Sequence, residues 1–184
     1  DIAGILAELK LASAYVVGHD RGARVARRMA YDYPELINRL ALFEIIPMEY
    51  VYSLSAEEAA KKYWHWVFQV VPDLPETLIS GKEEEYLKFL LSRGDGLFER
   101  LNSDGSWEEY LSHWKKPGAV KAALSDYRAS YKFDLPEYQE MVESEDKLNI
   151  DTLLLWAENG NLSGLSVEEI WKQSINNVTG YELK

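Results

Sequence analysis

Between Val16 and Ala30 the chain reads VVGHDRGARVARRMA, and the residues that could do chemistry lie together: Gly18, His19, Asp20, Arg21, Gly22 and Arg24. The glycine spacing is that of a nucleophile elbow, G-x-S-x-G, with aspartate in the nucleophile's place. Glycines permit so sharp a turn because larger side chains would collide with neighbouring backbone. The turn would raise Asp20 above the end of a strand and near the amides that open the next helix. Those amides and the helix dipole favour a negative charge. An aspartate carboxylate is ionised at neutral pH without an activating base. It suits displacement at saturated carbon through an ester intermediate, whereas serine suits acyl transfer. Such a displacement calls for no cofactor and no metal.

Arg21 and Arg24 are three residues apart and share a helix face. Two guanidinium groups beside an anionic nucleophile form a clamp for a substrate carboxylate, which arginine can hold bidentately. The plain alternative is a glycine-rich strand-to-helix turn with a capping aspartate and solvated arginines. Arg27 and Arg28 are read in that plain way, as exposed.

An elbow needs a strand before it and a helix after it. Ala14–Val17 is a short apolar run rich in β-branched residues and reads as a buried strand. Residues 23–33 are helical in pattern, with Val25, Ala26, Met29 and Ala30 on one side and Pro34 as the stop. Leu40–Ile46 reads as a second strand, ended by Pro47. A short amphipathic helix over residues 2–10 precedes these elements, since Ile2, Ile5, Leu6 and Leu9 recur at helical spacing. Residues 48–147 are helical and dense in aromatics and charges, with turns at 72–75, 93–96 and 116–118. Strand character returns at Thr152–Trp156, followed by a loop and a helix over 166–174. The expected architecture is α/β: a partial parallel-sheet core with flanking helices (1–47 and 148–184) interrupted by a helical cap (48–147). Insertions of that kind cover a site.

Composition narrows the function classes. The 20 basic residues are scattered among 31 acidic ones, for a formal charge of -11, which argues against nucleic acid as a partner. Cysteine is absent, so disulfides and thiolate chemistry are excluded. No apolar run approaches a membrane span, and the first residues lack the order of a signal peptide. A cytoplasmic protein without a membrane partner is the expectation. The glycosylation patterns at Asn161 and Asn177 are read as chance.

The stretch VVGHDRGARVARRMAYDYPELINRLALFEIIP resembles the fluoroacetate and haloacetate dehalogenases of the α/β-hydrolase superfamily. The likeness continues through HWVFQ (His65–Gln69), DYRASYKFD (Asp126–Asp134) and LLLWAENG (Leu153–Gly160). The resemblance implies that Asp20 attacks the carbon bearing the halogen and that Arg21 and Arg24 hold the carboxylate of a small haloacid. It implies that His65, Trp66 and Tyr127 cradle the departing halide. Several donors are what a leaving fluoride requires as its charge grows. Read alone, His65 and Trp66 are ordinary members of an aromatic helix, and Tyr127 is a packing or surface residue. Glu44, ending LFEIIP, takes the place where the family usually carries an aspartate, and is assigned the acid that orients the base. Glu158 is its rival, otherwise a solvated loop charge.

The family's order is nucleophile, acid, histidine. Of the three histidines, His19 lies inside the elbow, His65 is assigned to halide binding, and His113 resembles no base position. The sequence therefore reads as an internal piece of a longer dehalogenase-like hydrolase whose turnover is impaired, with an open sheet edge that favours a homodimer. Two alternatives stand beside this: an epoxide hydrolase or other hydrolase of the same fold, and a non-catalytic remnant or interaction module.

Overall fold

A computed structural model describes residues 1–92 and 96–184; Arg93–Asp95, which hold most of the expected turn at 93–96, lie outside the described residues. The chain divides into two compact units, one of residues 1–54 with 137–184 and one of residues 55–136. Both cuts fall inside the 48–147 span expected for the insertion.

The first unit is an α/β layer. Its elements in chain order are α1 (Ile2–Glu8), β1 (Ala14–His19), α2 (Arg21–Asp32), β2 (Ile37–Phe43) and α3 (Met48–Ser53). After the second unit come β3 (Thr152–Ala157), α12 (Val167–Trp171) and β4 (Val178–Leu183). The four strands form one parallel sheet in the order β1-β2-β3-β4. Burial alternates along the strands. Gly18, Leu40, Leu42, Thr152 and Leu154 are buried on the face that α2 and α12 cover. On the opposite face Tyr15, Val17, Tyr181 and Leu183 are exposed, by 73%, 65%, 57% and 48%. Ala41, Phe43, Leu153 and Leu155 lie between them in register, so an apolar band crosses the open face, with Arg39, His19 and Thr179 on the same face.

Three strands depart from expectation. β1, read as a buried strand, leaves Tyr15 and Val17 exposed on the open face. The second strand begins at Ile37 and ends at Phe43, three residues earlier at each end than Leu40–Ile46. It stops because Glu44 takes a φ of 48°, which turns the chain out of the ladder, and Ile45 and Ile46 are buried beyond the strand. β4 was not expected at all. Gly180 stands mid-strand because a Cβ there would lie 2.9 Å from the ring of Trp156 on β3, and the open face removes the apolar alternation that marks a strand.

The second unit is helical among its described residues: α4 (Ala56–Lys62), α5 (Trp64–Val70), α6 (Leu74–Ile79), α7 (Glu83–Leu91), α8 (Leu97–Ser103), α9 (Ser106–Trp114) and α10 (Ala119–Ala129). A π-helical turn, Ser130–Asp134, continues α10 into α11 (Leu135–Glu143), most of which belongs to the first unit. The second unit's buried residues include Tyr63, Trp66, Ile79, Leu87, Trp107 and Leu124. A partly exposed aromatic cluster links its helices: Trp64 meets Phe89 at 5.6 Å, Phe68 meets Tyr86 at 6.2 Å and Tyr86 meets Trp114 at 5.8 Å between ring centroids. Arg128 on α10 grips Glu76 on α6 and donates to the carbonyl of Val71 at 2.8 Å. That pairing is the main cause holding the Glu76 carboxyl below its ordinary value. No helix among the described residues is long and apolar enough to cross a membrane.

Candidate active site

The elbow forms as its glycine spacing requires, though the two glycines contribute unequally. A Cβ on Gly18 would lie 2.5 Å from the carbonyl oxygen of Gly22 and 2.6 Å from the Cα of Ala23. Strand end and helix start approach so closely that only glycine fits. A Cβ on Gly22 would meet nothing within 4 Å, and its φ is unexceptional. The collision expected at both glycines exists at Gly18 alone.

Asp20 adopts φ 48°, ψ -113°, a conformation rare for a residue with a side chain. Its N–H donates to the Phe43 carbonyl at 3.0 Å, and its own carbonyl accepts from Ala23 at 3.1 Å. The backbone is thus held on both sides. Asp20 occupies the N-cap of α2, yet its side chain makes no capping hydrogen bond. A capping role, the plain alternative for this residue, is not what the carboxylate does; it stands exposed at the carboxyl end of β1.

Arg21 and Arg24 are half-buried in the first turn of α2. No acidic residue accompanies them there. Cations belong at the other end of a helix, and each one placed at the N-terminus works against the dipole by about 0.3–1 kcal/mol. The helix dipole therefore does not account for the placement of these two arginines.

Arg27 and Arg28, expected to be alike, are opposites. Arg28 pairs on the surface with Asp32 and Glu137, which hold its pKa above the ordinary range. Arg27 is 2% exposed, and both of its terminal nitrogens donate to Glu49, at 2.9 and 2.7 Å.

Glu44 is the second non-glycine residue in this part of the sheet with φ near 48°. Its N–H donates to the Leu155 carbonyl at 3.0 Å, and its Oε1 accepts from the N–H of Ala157, at the end of β3. The extra methylene of glutamate carries the carboxylate across to the neighbouring strand. Gly160 marks where it lies, since a Cβ there would be 3.1 Å from Oε2 and 3.3 Å from Oε1 of Glu44. Gly160 had no role in the sequence reading; its signal was a glycine after WAEN, with nothing to name its neighbour. Glu158 is exposed, and its N–H donates to the Leu183 carbonyl at 2.8 Å, as in a continuing strand.

In the second unit, His65 and Trp66 on α5 are buried at 7% and 6% exposure, and Tyr127 on α10 is half-buried. The structure brings the three together: Trp66 lies 6.5 Å from His65 and 6.3 Å from Tyr127 between ring centroids, near perpendicular to each. Gln69, one turn on, is buried and donates to the Tyr86 hydroxyl at 2.7 Å. His113 is exposed on α9, with its ring nitrogen against the Glu109 carbonyl. Among the described residues no group of three or more His, Cys, Asp or Glu could hold a metal ion.

Comparison with known proteins identifies relatives of the chain as a whole. Residues 1–184 match the family model of the alpha/beta hydrolase fold. The fluoroacetate dehalogenase of Burkholderia sp is 34% identical over 125 residues, covering 65% of this chain and 40% of that protein. Epoxide hydrolase 4 of Homo sapiens is 28% identical over 184 residues, covering 96% of this chain and 48% of that protein. A crystal structure from Nostoc sp PCC 7120, described as an alpha/beta hydrolase, covers 100% of this chain and 62% of its own, with 32% identity and a TM-score of 0.84. The chain spans about half the length of the two curated relatives.

Proposed function

The chain belongs to the alpha/beta hydrolase fold family, and from that premise we propose that it carries the nucleophile of a hydrolytic dehalogenase acting on short 2-haloacids. One observation carries the reading. Asp20 is held in a strained backbone conformation with its carboxylate unused as a cap, beside two arginines set against the dipole of the same helix. Backbone strain of this kind persists where surrounding structure enforces it, and it clusters at functional sites.

In this reading a carboxylate oxygen of Asp20 attacks the carbon that bears the halogen. The new C–O bond forms as the C–X bond breaks, and the electron pair leaves with the halide. Arg21 and Arg24 hold the acid's own carboxylate and offset its repulsion from Asp20. His65, Trp66 and Tyr127 donate to the departing halide. Water then cleaves the ester at its acyl carbon, releasing a 2-hydroxy acid and restoring Asp20. Glu44 is the acid that would orient a base for that step. The reading gives none of the three histidines the role of base, so the ester formed by these 184 residues is expected to accumulate.

Incubation with chloroacetate followed by peptide mass spectrometry tests this. The expected result is one carboxymethyl adduct on Asp20, absent from Asp20→Asn. No adduct, or an adduct elsewhere, refutes the assignment. The match to an epoxide hydrolase over nearly the whole chain supports a second reading, with a neutral epoxide as the electrophile. Replacing Arg21 or Arg24 by glutamine distinguishes the two. Haloacid modification should slow by about tenfold or more through loss of charged hydrogen bonds, while modification by a neutral epoxide should change little. A haloacid rate left unchanged by both replacements would defeat the carboxylate clamp and favour the epoxide reading.

A further inference from the structure

The most heavily committed charge in the first unit lies outside every role assigned so far. Arg27 follows Arg24 by three residues on the elbow helix, yet it points inward and is sealed from water. Its fork closes on both oxygens of Glu49, in the first turn of α3. Its guanidinium carbon lies 3.9 Å from the centroid of the Tyr138 ring and 5.2 Å from that of Trp171. Burial works to lower the Arg27 pKa, but the hydrogen bonds and charge of Glu49 outweigh it and raise it above the ordinary value, so the cation stays charged. Trp171, itself 1% exposed, donates from Nε1 to the Ile45 carbonyl at 3.1 Å.

These contacts converge on one short segment. Ile45 follows the strained Glu44 directly, and Glu49 lies five residues past it. Arg27 thus holds that segment through Glu49, while Trp171, stacked near Arg27, holds it through Ile45. The other end of Arg27's helix is the elbow. Burying such a pair is a poor route to stability, because a well-packed apolar pair of similar volume often does as well or better. What a bidentate pair supplies is geometry: two parallel hydrogen bonds permit one relative placement of their helices.

We propose that Arg27 and Glu49 form a positioning pair, which fixes α2 relative to the segment leaving β2 and so aligns the Asp20 turn with the Glu44 turn. The idea rests on the reading of Asp20 and Glu44 as site residues, but its test need not rest on chemistry. Hydrogen exchange can be followed at the amides of Asp20, Ala23 and Glu44, whose partners are known, in the wild type, in Arg27→Met with Glu49→Leu, and in Arg27→Lys. The apolar pair should keep its denaturation midpoint or raise it, while exchange at both turns rises by about tenfold and the β3–β4 ladder stays protected. Arg27→Lys keeps the charge without the fork, and should loosen the same two turns. It serves alone if the double variant does not fold.

Unchanged exchange at the two turns, or a uniform rise across the sheet, would overturn the positioning role and leave a structural ion pair. Chloroacetate modification of the same variants supplies the second readout, with a slower adduct rate expected in both. Failure of the wild type to form any adduct would defeat the proposed chemistry, yet exchange would still decide whether the pair positions the turns.

Discussion

The carboxyl ends of β1 and β2 are built differently from that of β3. The chain leaves β1 and β2 through a non-glycine residue at φ 48°, Asp20 in one case and Glu44 in the other, and each carries a carboxylate. Backbone in that region costs about 1–3 kcal/mol per residue. At the end of β3 no such distortion occurs. Glu158 continues the ladder toward β4 with its amide, and its carboxylate points to solvent. Of these three strand ends, two carry the positive φ and the third does not. Only Glu44 is tied by its carboxylate to a neighbouring strand, which makes it a better candidate than Glu158 for the acid.

That contrast can be broken by substitution. The largest effect on stability is expected at Gly18. An alanine there must displace backbone, and should lower the free energy of unfolding by about 3 kcal/mol in urea titration, whereas Gly22→Ala should be neutral or stabilising by up to about 1 kcal/mol. Equal effects at the two glycines would mean that the elbow is not tight at its first turn. Next in size, Glu44→Gln should cost about 1 kcal/mol, because a charged acceptor is lost from the Ala157 amide. Glu158→Gln should fall within about 0.5 kcal/mol of wild type. A reversal of that order would return Glu158 to candidacy. Gly160→Ala should likewise cost no more than about 1 kcal/mol, since the flexible Glu44 side chain can move aside. The cost should vanish when Glu44 is itself alanine; if it persists there, the crowding comes from backbone.

How much of this was legible in the sequence follows from the range of the interactions. The elbow could be read because its constraint is local: Gly18 and the residues it nearly touches lie within five positions. β1 and β3 could be read because their apolar runs are continuous. Helices in the middle of the chain likewise announced themselves by period and turns. Arg27 could not be told from Arg28 by type or spacing. Only the distant Glu49, Tyr138 and Trp171 separate a buried clamp from a surface charge. The tie between Glu44 and the Ala157 amide spans 113 positions and involves backbone, which no residue type advertises. β4 was hidden for a different reason, because its glycine answers a ring on the adjacent strand and its outward side chains face no partner.

The open apolar face also governs how the protein behaves in a tube. Copies carrying a formal charge of -11 repel one another, and that repulsion opposes association through the exposed tyrosine, valine and leucine side chains. Dissolved salt undermines that repulsion by screening, and sulfate or phosphate salts also strengthen the attraction between apolar surfaces. Both influences act in one direction, so solubility should fall steadily as such buffers are concentrated, and dilute, low-salt conditions are where this molecule is best kept.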